Sequence, residues 1–384
     1  MDYSTRTKEC DLNLDLKSAL DNDSFIITPD PNLVIAKHGA VASEIANCSQ
    51  HGVDILKEGG NAIDAAITSM LCVGSIDTFA SGIGGLPNGY YEIIDFRETA
   101  PLAAKKDMFV DKQVFASVGG LSIGVPGEIA GMKLAHKKYG KLPWKRLFEP
   151  IINMCRNGFP VTPELGLRLR LFREIVVNNP QLSEIYAPNG ILLKEGQILY
   201  RTKYAKTLET IANNHTEFYR GSIAKSMIKR VKATGGIMTL KDLENYRPIV
   251  REPLVGFYHD RKNETFDPDY YNPVSEPVDD HGTSHLSVVD ADDMAVSVTS
   301  SVNRIWGSQV MDPDTEILFN DQMDDFSIPG TPDIFDLPPS PYNFIGPGKR
   351  PLSSMAPTII EKNGRFELAI GASGGKKIIS SILQ

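Results

Sequence analysis

Cysteine is scarce in this chain. Its four residues, Cys10, Cys48, Cys72 and Cys155, form no C-x-x-C pair and no Cys/His cluster, which argues against a zinc site. Positive charge is not in excess either. Forty Lys and Arg against 48 Asp and Glu give a net charge of −8, which speaks against a nucleic-acid surface and for small or neutral ligands. No apolar run is long enough to cross a bilayer. Residues 1–30 are polar and acidic, without the basic-then-apolar layout of a signal peptide. No internal repeat is visible. What is present, 41% hydrophobic and 23% charged residues, fits a globular chain able to bury a real core. The 384 residues suggest roughly two to three domains or one large α/β domain. N-x-S/T acceptor triplets occur at Asn22, Asn47, Asn214 and Asn263 and matter only if the chain is secreted.

Residues 1–32 read as a mobile leader, and Leu33-Val34-Ile35-Ala36 as a short strand. Asn47 is placed to cap a helix over 48–58 that stops at Gly59-Gly60, and Asn61 to cap a second. In that second helix Ile63, Ala66, Ile67, Met70 and Leu71 recur at the spacing of a buried face. Ser81-Gly82-Ile83-Gly84-Gly85 has no Walker lysine and no strand–turn–helix context, so a tight turn outweighs a phosphate loop. Residues 90–96 read as a strand, and 121–128 as a strand, a turn and a helix start. Helices are expected through 134–139, 144–154, 204–213 and 222–232, and one long helix over 162–176. Residues 235–243 read as a turn and a short capped helix, and 251–280 as an exposed loop. Residues 358–360 and 366–370, joined at Asn363-Gly364, form a hairpin, and an apolar helix begins at Lys376.

The stretch 279–290 is the chemically suggestive one. A polar turn stops at Gly282 and enters a half-buried strand at Thr283, with 294–299 as its antiparallel partner. Most Gly-Thr steps of this kind are plain turns. A strand-opening threonine also suits self-cleavage: its hydroxyl attacks the preceding carbonyl, the peptide shifts to an ester, and water releases it. Thr283 would then carry a free α-amine, whose pKa of about 7.7–8.0 leaves a base beside the hydroxyl near neutral pH. The bare pattern leaves both readings open.

Ordered motifs across the chain carry a resemblance. They are 59–66 (GGNAIDAA), Gly82-Ile83-Gly84-Gly85, Arg97-Glu98, Val125-Pro126-Gly127-Glu128, Leu142-Pro143-Trp144, 242–246 (DLENY), the dense run 283–326, 347–355 (PGKRPLSSM) and Gly374-Gly375. Together they resemble the γ-glutamyltransferase (glutathione hydrolase) family, from about residue 36 to 375. The resemblance implies an α/β N-terminal-nucleophile hydrolase, an αββα sandwich. It also implies cleavage between Gly282 and Thr283, giving a large-subunit region, 33–282, and a small-subunit region, 283–384, that stay intertwined as a heterodimer. It implies Thr283 as nucleophile, and Ser301, where the family usually has threonine, bonded to it. Gly374 and Gly375 then form the oxyanion hole. Asn303, Gln322 and Asp325 hold the substrate α-amino group; Arg97, Ser353 and Ser354 clamp its α-carboxylate. The residue types suit these roles, with acceptors and a negative charge for an ammonium, a planar guanidinium with hydroxyls for a carboxylate, and glycine amides for an oxyanion. Read bare, each of these residues would pass for a turn, loop or cap residue; the joint order carries the assignment. Cys48 and Cys72 match a pair bridged in some relatives, with two separate buried thiols as the alternative.

The resemblance further implies glutathione, other γ-glutamyl compounds and acceptor amino acids or peptides as substrates, and no metal or cofactor. It suggests a secretory-pathway location: plasma membrane, extracellular or vacuolar. The chain departs from the family in three places. The segment between the glycine turn and the Tyr90 strand is short, 258–279 replaces a longer helical region, and the helices and strands that follow Gly375 in relatives are missing. An incomplete sandwich is therefore expected. An inactive truncated paralogue or gene-model fragment, and an acylase with another amide substrate, stand as alternative readings.

Overall fold

The computed structural model describes residues 34–78, 91–257, 282–332 and 338–383. The glycine turn 81–85, the sequons at Asn22 and Asn263 and most of the loop 251–280 lie outside them. The centre is a three-stranded antiparallel sheet. Its edge strand β1 (Ala40–Ser43) pairs with β4 (Gly282–Val289), which pairs with β5 (Ala295–Asn303). Helices α1 (Ala46–Lys57) and α2 (Ala62–Ile76) cover one face of this sheet. A hairpin of β6 (Thr358–Lys362) and β7 (Arg365–Ile370) lies against the other. Two short strands, β2 (Ile93–Asp95) and β3 (Ile249–Arg251), pair apart from both.

Side-chain alternation explains the layering. Leu286, Val288, Val296 and Val298 are buried on the helix side of β4 and β5. The opposite side carries Thr283, His285, Ser287, Ser297, Thr299 and Ser301, paired directly across the two strands. One face is oily and seals a core; the other is lined with hydroxyls and receives the hairpin, whose Ile370 carbonyl accepts the Ser297 hydroxyl at 2.9 Å.

Helix α2 is buried all round because it sits between the sheet and α4 (Trp144–Asn157). Asn61 caps it in a reciprocal box with Asp64. Asp64 also accepts the amides of Lys141 and Leu142, which follow α3 (Glu128–Tyr139). At the far end of β4, Asp290 accepts the first amide of α2, that of Ala62, at 2.9 Å. That bond pins the strand along its axis and so places Thr283 at its opposite end. Cys48 of α1 and Cys72 of α2 form a disulfide, settling the alternative left open by sequence; Cys155 is a buried free thiol.

Some local expectations shift. Val34 and Ile35 are exposed and not in a strand; the strand is Ala40–Ser43, whose register with β4 decides the matter. Helix α1 starts at Ala46, so Asn47 lies inside it rather than capping it. The helix expected over 162–176 breaks at Phe172: Thr162 caps Pro163–Leu171, and Arg173–Asn178 follows. Residues 121–128 give a 3-10 turn and a bridge from Val125 to Thr99 rather than a strand. The hairpin turn matches expectation, with Asn363 and Gly364 both at positive φ, 55° and 74°. The hairpin leaves Ile360 and Leu368 more than a third exposed, in keeping with a sandwich thinly covered on this side among the described residues.

The disulfide spans 24 residues. Loop-closure entropy then predicts that Cys72→Ser lowers the unfolding free energy by about 3 kcal/mol. Denaturant unfolding checks this; an unchanged midpoint would contradict it.

Candidate active site

Thr283 is 9% exposed and opposite Ser301, and their hydroxyl oxygens lie 2.9 Å apart. Ser301 has one proton to give, and it donates that proton to the Gly282 carbonyl at 2.9 Å. Its oxygen also accepts the Asn303 N–H at 2.8 Å. A serine hydroxyl has one donor and two lone pairs, so in the Thr283–Ser301 bond Thr283 must be the donor. One serine thus holds the attacking hydroxyl and polarises the carbonyl it would attack. The ladder is irregular here: Gly282 pairs with Asn303 and Thr283 with Ser301, so a bulge falls at the Gly282–Thr283 peptide. A Cβ at residue 282 would lie 2.2 Å from the Asn303 carbonyl oxygen, which explains the glycine. Asn303 itself sits at φ 78°, where asparagine is among the better-tolerated side chains.

Asn303 leads to the second half of the site. Its side-chain amide donates to the Asp321 carbonyl at 3.3 Å, and the Asp321 N–H donates back to Val302. Asp321 precedes a 3-10 turn, Gln322–Asp325. In that turn the Gln322 amide donates to Asp325 Oδ2 at 2.8 Å, and Arg97 pairs with the same oxygen. Arg97 also donates to the Leu352 carbonyl at 2.5 Å. Its side chain is 9% exposed, and its Nε has no hydrogen-bond partner among the described residues. The same holds for Gln322 Oε1, in a residue 1% exposed. Burial pushes the Asp325 carboxyl above its ordinary range, and the Arg97 charge opposes that. Burial pushes Glu98 up to about 7.

Ser353 and Ser354 follow Leu352, but it is the Leu352 carbonyl that meets the guanidinium; the Ser353 hydroxyl accepts the Met355 N–H at 3.2 Å. Gly374 and Gly375 lie at φ 121° and 57°, just before a short helix, α5 (Lys377–Leu383). Both angles lie in the left-handed region that favours glycine. The two glycines follow β7, whose end approaches the face of the sheet that carries Thr283.

The link is a residue that motif reading passed over. His285 shares the Thr283 face and binds Thr299 Oγ1 at 2.8 Å and Ser287 Oγ at 3.1 Å. A Cβ on Gly371 would fall 2.1 Å from its ring. The ring therefore sets how closely the end of β7 approaches the sheet, and with it the start of the Gly374–Gly375 segment. Burial lowers the His285 pKa to about 4, so the wedge stays neutral at physiological pH. The signal available in sequence was the two-residue period from Thr283.

A family model described as γ-glutamyltranspeptidase matches residues 48–262 and 258–384. Glutathione hydrolase proenzyme 1 of Schizosaccharomyces pombe is 39% identical over 91% of the chain and 71% of its own length. The Escherichia coli glutathione hydrolase proenzyme is 33% identical over 91% and 78%. Among solved structures, Helicobacter pylori γ-glutamyltranspeptidase gives a TM-score of 0.56 at 32% identity, covering 62% of this chain and 72% of that one. Cephalosporin acylase from Bacillus halodurans gives 0.76 over 95% and 82%, at 24% identity, a likeness of fold.

Removing the Ser301 hydroxyl strips all three of its contacts. Ser301→Ala is expected to slow cleavage at Gly282–Thr283 by on the order of 10²-fold, as loss of one preorganised donor does, and Ser301→Thr to restore it. Fragment appearance on gels after synthesis measures this; equal rates in all three chains would refute it.

Proposed function

The chain belongs to the γ-glutamyltranspeptidase family, and on that premise we propose that it cleaves itself at Gly282–Thr283 and then transfers or hydrolyses γ-glutamyl groups. In maturation the Thr283 oxygen bonds to the Gly282 carbonyl carbon, the C–N bond breaks, and the nitrogen takes the proton. Water then opens the ester, leaving a Gly282 carboxylate and a free Thr283 amine. In turnover that amine takes the hydroxyl proton while the oxygen attacks the γ-amide of glutathione or a related compound. The amide leaves as an amine, here cysteinylglycine, and the γ-glutamyl ester passes to water or to an acceptor amino acid or peptide. The Gly374 and Gly375 amides are assigned to the oxyanion.

The observation that carries this reading is the Thr283–Ser301–Gly282 arrangement: nucleophile and scissile carbonyl share one serine. The head-group half supports it. An α-amino acid is a zwitterion, and Arg97 and Asp325 are paired with each other where one would bind. A ligand exchanges that pair for two: its carboxylate with Arg97, its ammonium with Asp325 and the waiting Gln322 oxygen. An unpaired buried acceptor costs about 1–3 kcal/mol, which the ammonium relieves. An acylase reading with another amide leaves this ion pair without a role. The Cys48–Cys72 bridge supports an oxidising compartment, and so the secretory pathway, as the place of action.

Purified chain is expected to split into fragments ending at Gly282 and starting at Thr283, and to release aniline from a γ-glutamyl anilide. Thr283→Ala should do neither; cleavage or release by that variant would refute the proposal. Asp325→Asn is expected to raise KM for the donor roughly a hundredfold, as breaking a buried charge pair does. In the unmodified chain, acid protonates Asp325 and removes the charge that holds the ammonium. Because burial raises that pKa, donor KM should climb with falling pH above the ordinary aspartate value of about 3.9. A pH-flat KM in steady-state kinetics would contradict the assignment.

A further inference from the structure

We infer that Arg304 is a positioning residue: it holds the 3-10 turn that presents Gln322 and Asp325, and thereby sets affinity for the amino-acid head group of the donor. The inference rests on the head-group reading above. Asp321, Asp324 and Asp325 crowd three carboxylates into one turn. In a 3-10 helix, side chains three apart stack. Gln322 and Asp325 therefore share one side, and Asp321 and Asp324 share the next.

The two sides have separate counter-charges. Arg97 pairs with Asp325. Arg304 pairs with Asp324, its Nε and Nη2 each 2.7 Å from Oδ2, and its Nε is 3.8 Å from Asp321 Oδ2. Its backbone N–H donates to Asp321 Oδ1 at 3.0 Å. Asp321 is fully buried, and its Oδ2 has no hydrogen-bond partner among the described residues; burial pushes its carboxyl well above the ordinary range, and the Arg304 backbone N–H and guanidinium oppose that. The Ser117 hydroxyl donates to Asp324 Oδ1 at 3.0 Å, which anchors the turn without neutralising it.

The remaining charged groups around Asp325 are Arg97, then Glu98 and, next to Glu98, Arg350. None of these reaches the Asp321–Asp324 side in any pairing among the described residues. Without Arg304, two carboxylates one turn apart lose their shared cation. The turn then opens, or takes up protons, and the 2.8 Å Gln322–Asp325 bond that shapes the ammonium cradle goes with it. Arg304 follows Asn303 directly, so the same strand end supplies an ammonium contact and the brace for the other two. Lysine would keep the charge but not the fork that spans both acids.

The test uses Arg304→Gln and Arg304→Lys in the full chain. With a γ-glutamyl anilide, Arg304→Gln is expected to raise KM roughly ten- to hundredfold, the loss of a charged hydrogen bond. Its kcat should hold, and the acid limb of kcat/KM should move to higher pH. Arg304→Lys should fall between. Calorimetric binding of L-glutamate should weaken by the same factor as KM rises. Unchanged KM and pH limb, a loss confined to kcat, or equal glutamate binding would overturn the inference. The glutamate measurement needs no turnover. A chain that binds glutamate yet releases no aniline rejects the catalytic reading and still judges Arg304; one that binds no glutamate overturns both.

Discussion

The hydroxyl of Ser301 is the point on which the rest of the structure converges. It has a single proton and two lone pairs, and all three are committed: to the Gly282 carbonyl, the Thr283 hydroxyl and the Asn303 amide. That leaves no freedom in which way the Thr283 proton points. The constraint also joins maturation to substrate binding. The bond that readies the precursor for cleavage and the strand end that begins the head-group site meet at one oxygen atom. Where relatives carry threonine, this chain keeps the hydroxyl and forgoes a methyl, so the rotamer must be held by these three bonds rather than by β-branching.

The scaffold serves that oxygen by fixing β4 and β5 relative to everything else. The oily face of the two strands packs on α2, whose own start is tied to the hairpin turn by Asp290 and capped by Asn61. The hydroxyl face cannot pack by burial alone. It is filled by a neutral histidine and approached by the Ile370–Gly371 end of β7, with glycine required at the nearest point. Buried polar groups of this kind are favourable only when each is satisfied, and His285 has a hydroxyl at either ring nitrogen. Two of the buried polar atoms without a partner among the described residues, Gln322 Oε1 and Arg97 Nε, flank the Arg97–Asp325 pair, where a zwitterionic ligand would supply the missing partners.

Legibility of the chain divides along physical lines. Elements governed by local chemistry could be read from sequence: the Asn61 cap, the Asn363-Gly364 turn, the Thr162 cap; the one-sided period read for α2 gave its helix but not its burial on every side. Elements settled by partners could not. Val34 and Ile35 look more strand-like than Ala40–Ser43, yet β4 selects the latter by register. Phe172 interrupts a helix that reads as continuous. Of the site, Asp325 and Arg97 are ordinary surface types in isolation and were identified through the ordered resemblance, not through pattern. The structure brings them together, as it does Thr283 with Ser301, but meets Arg97 with the Leu352 carbonyl rather than with Ser353 or Ser354. The roles of His285 against Gly371, and of Arg304 between two acids, exist only between segments far apart in the chain, and no window of sequence contains them.

The most direct test is to find where the acyl group sits. Rapid quenching of the processed chain with a γ-glutamyl anilide, followed by mass spectrometry of the fragment that begins at Thr283, should show one γ-glutamyl group esterified to that first residue, decaying as product forms. Turnover with no adduct on Thr283, or with the adduct on another residue, would contradict the account.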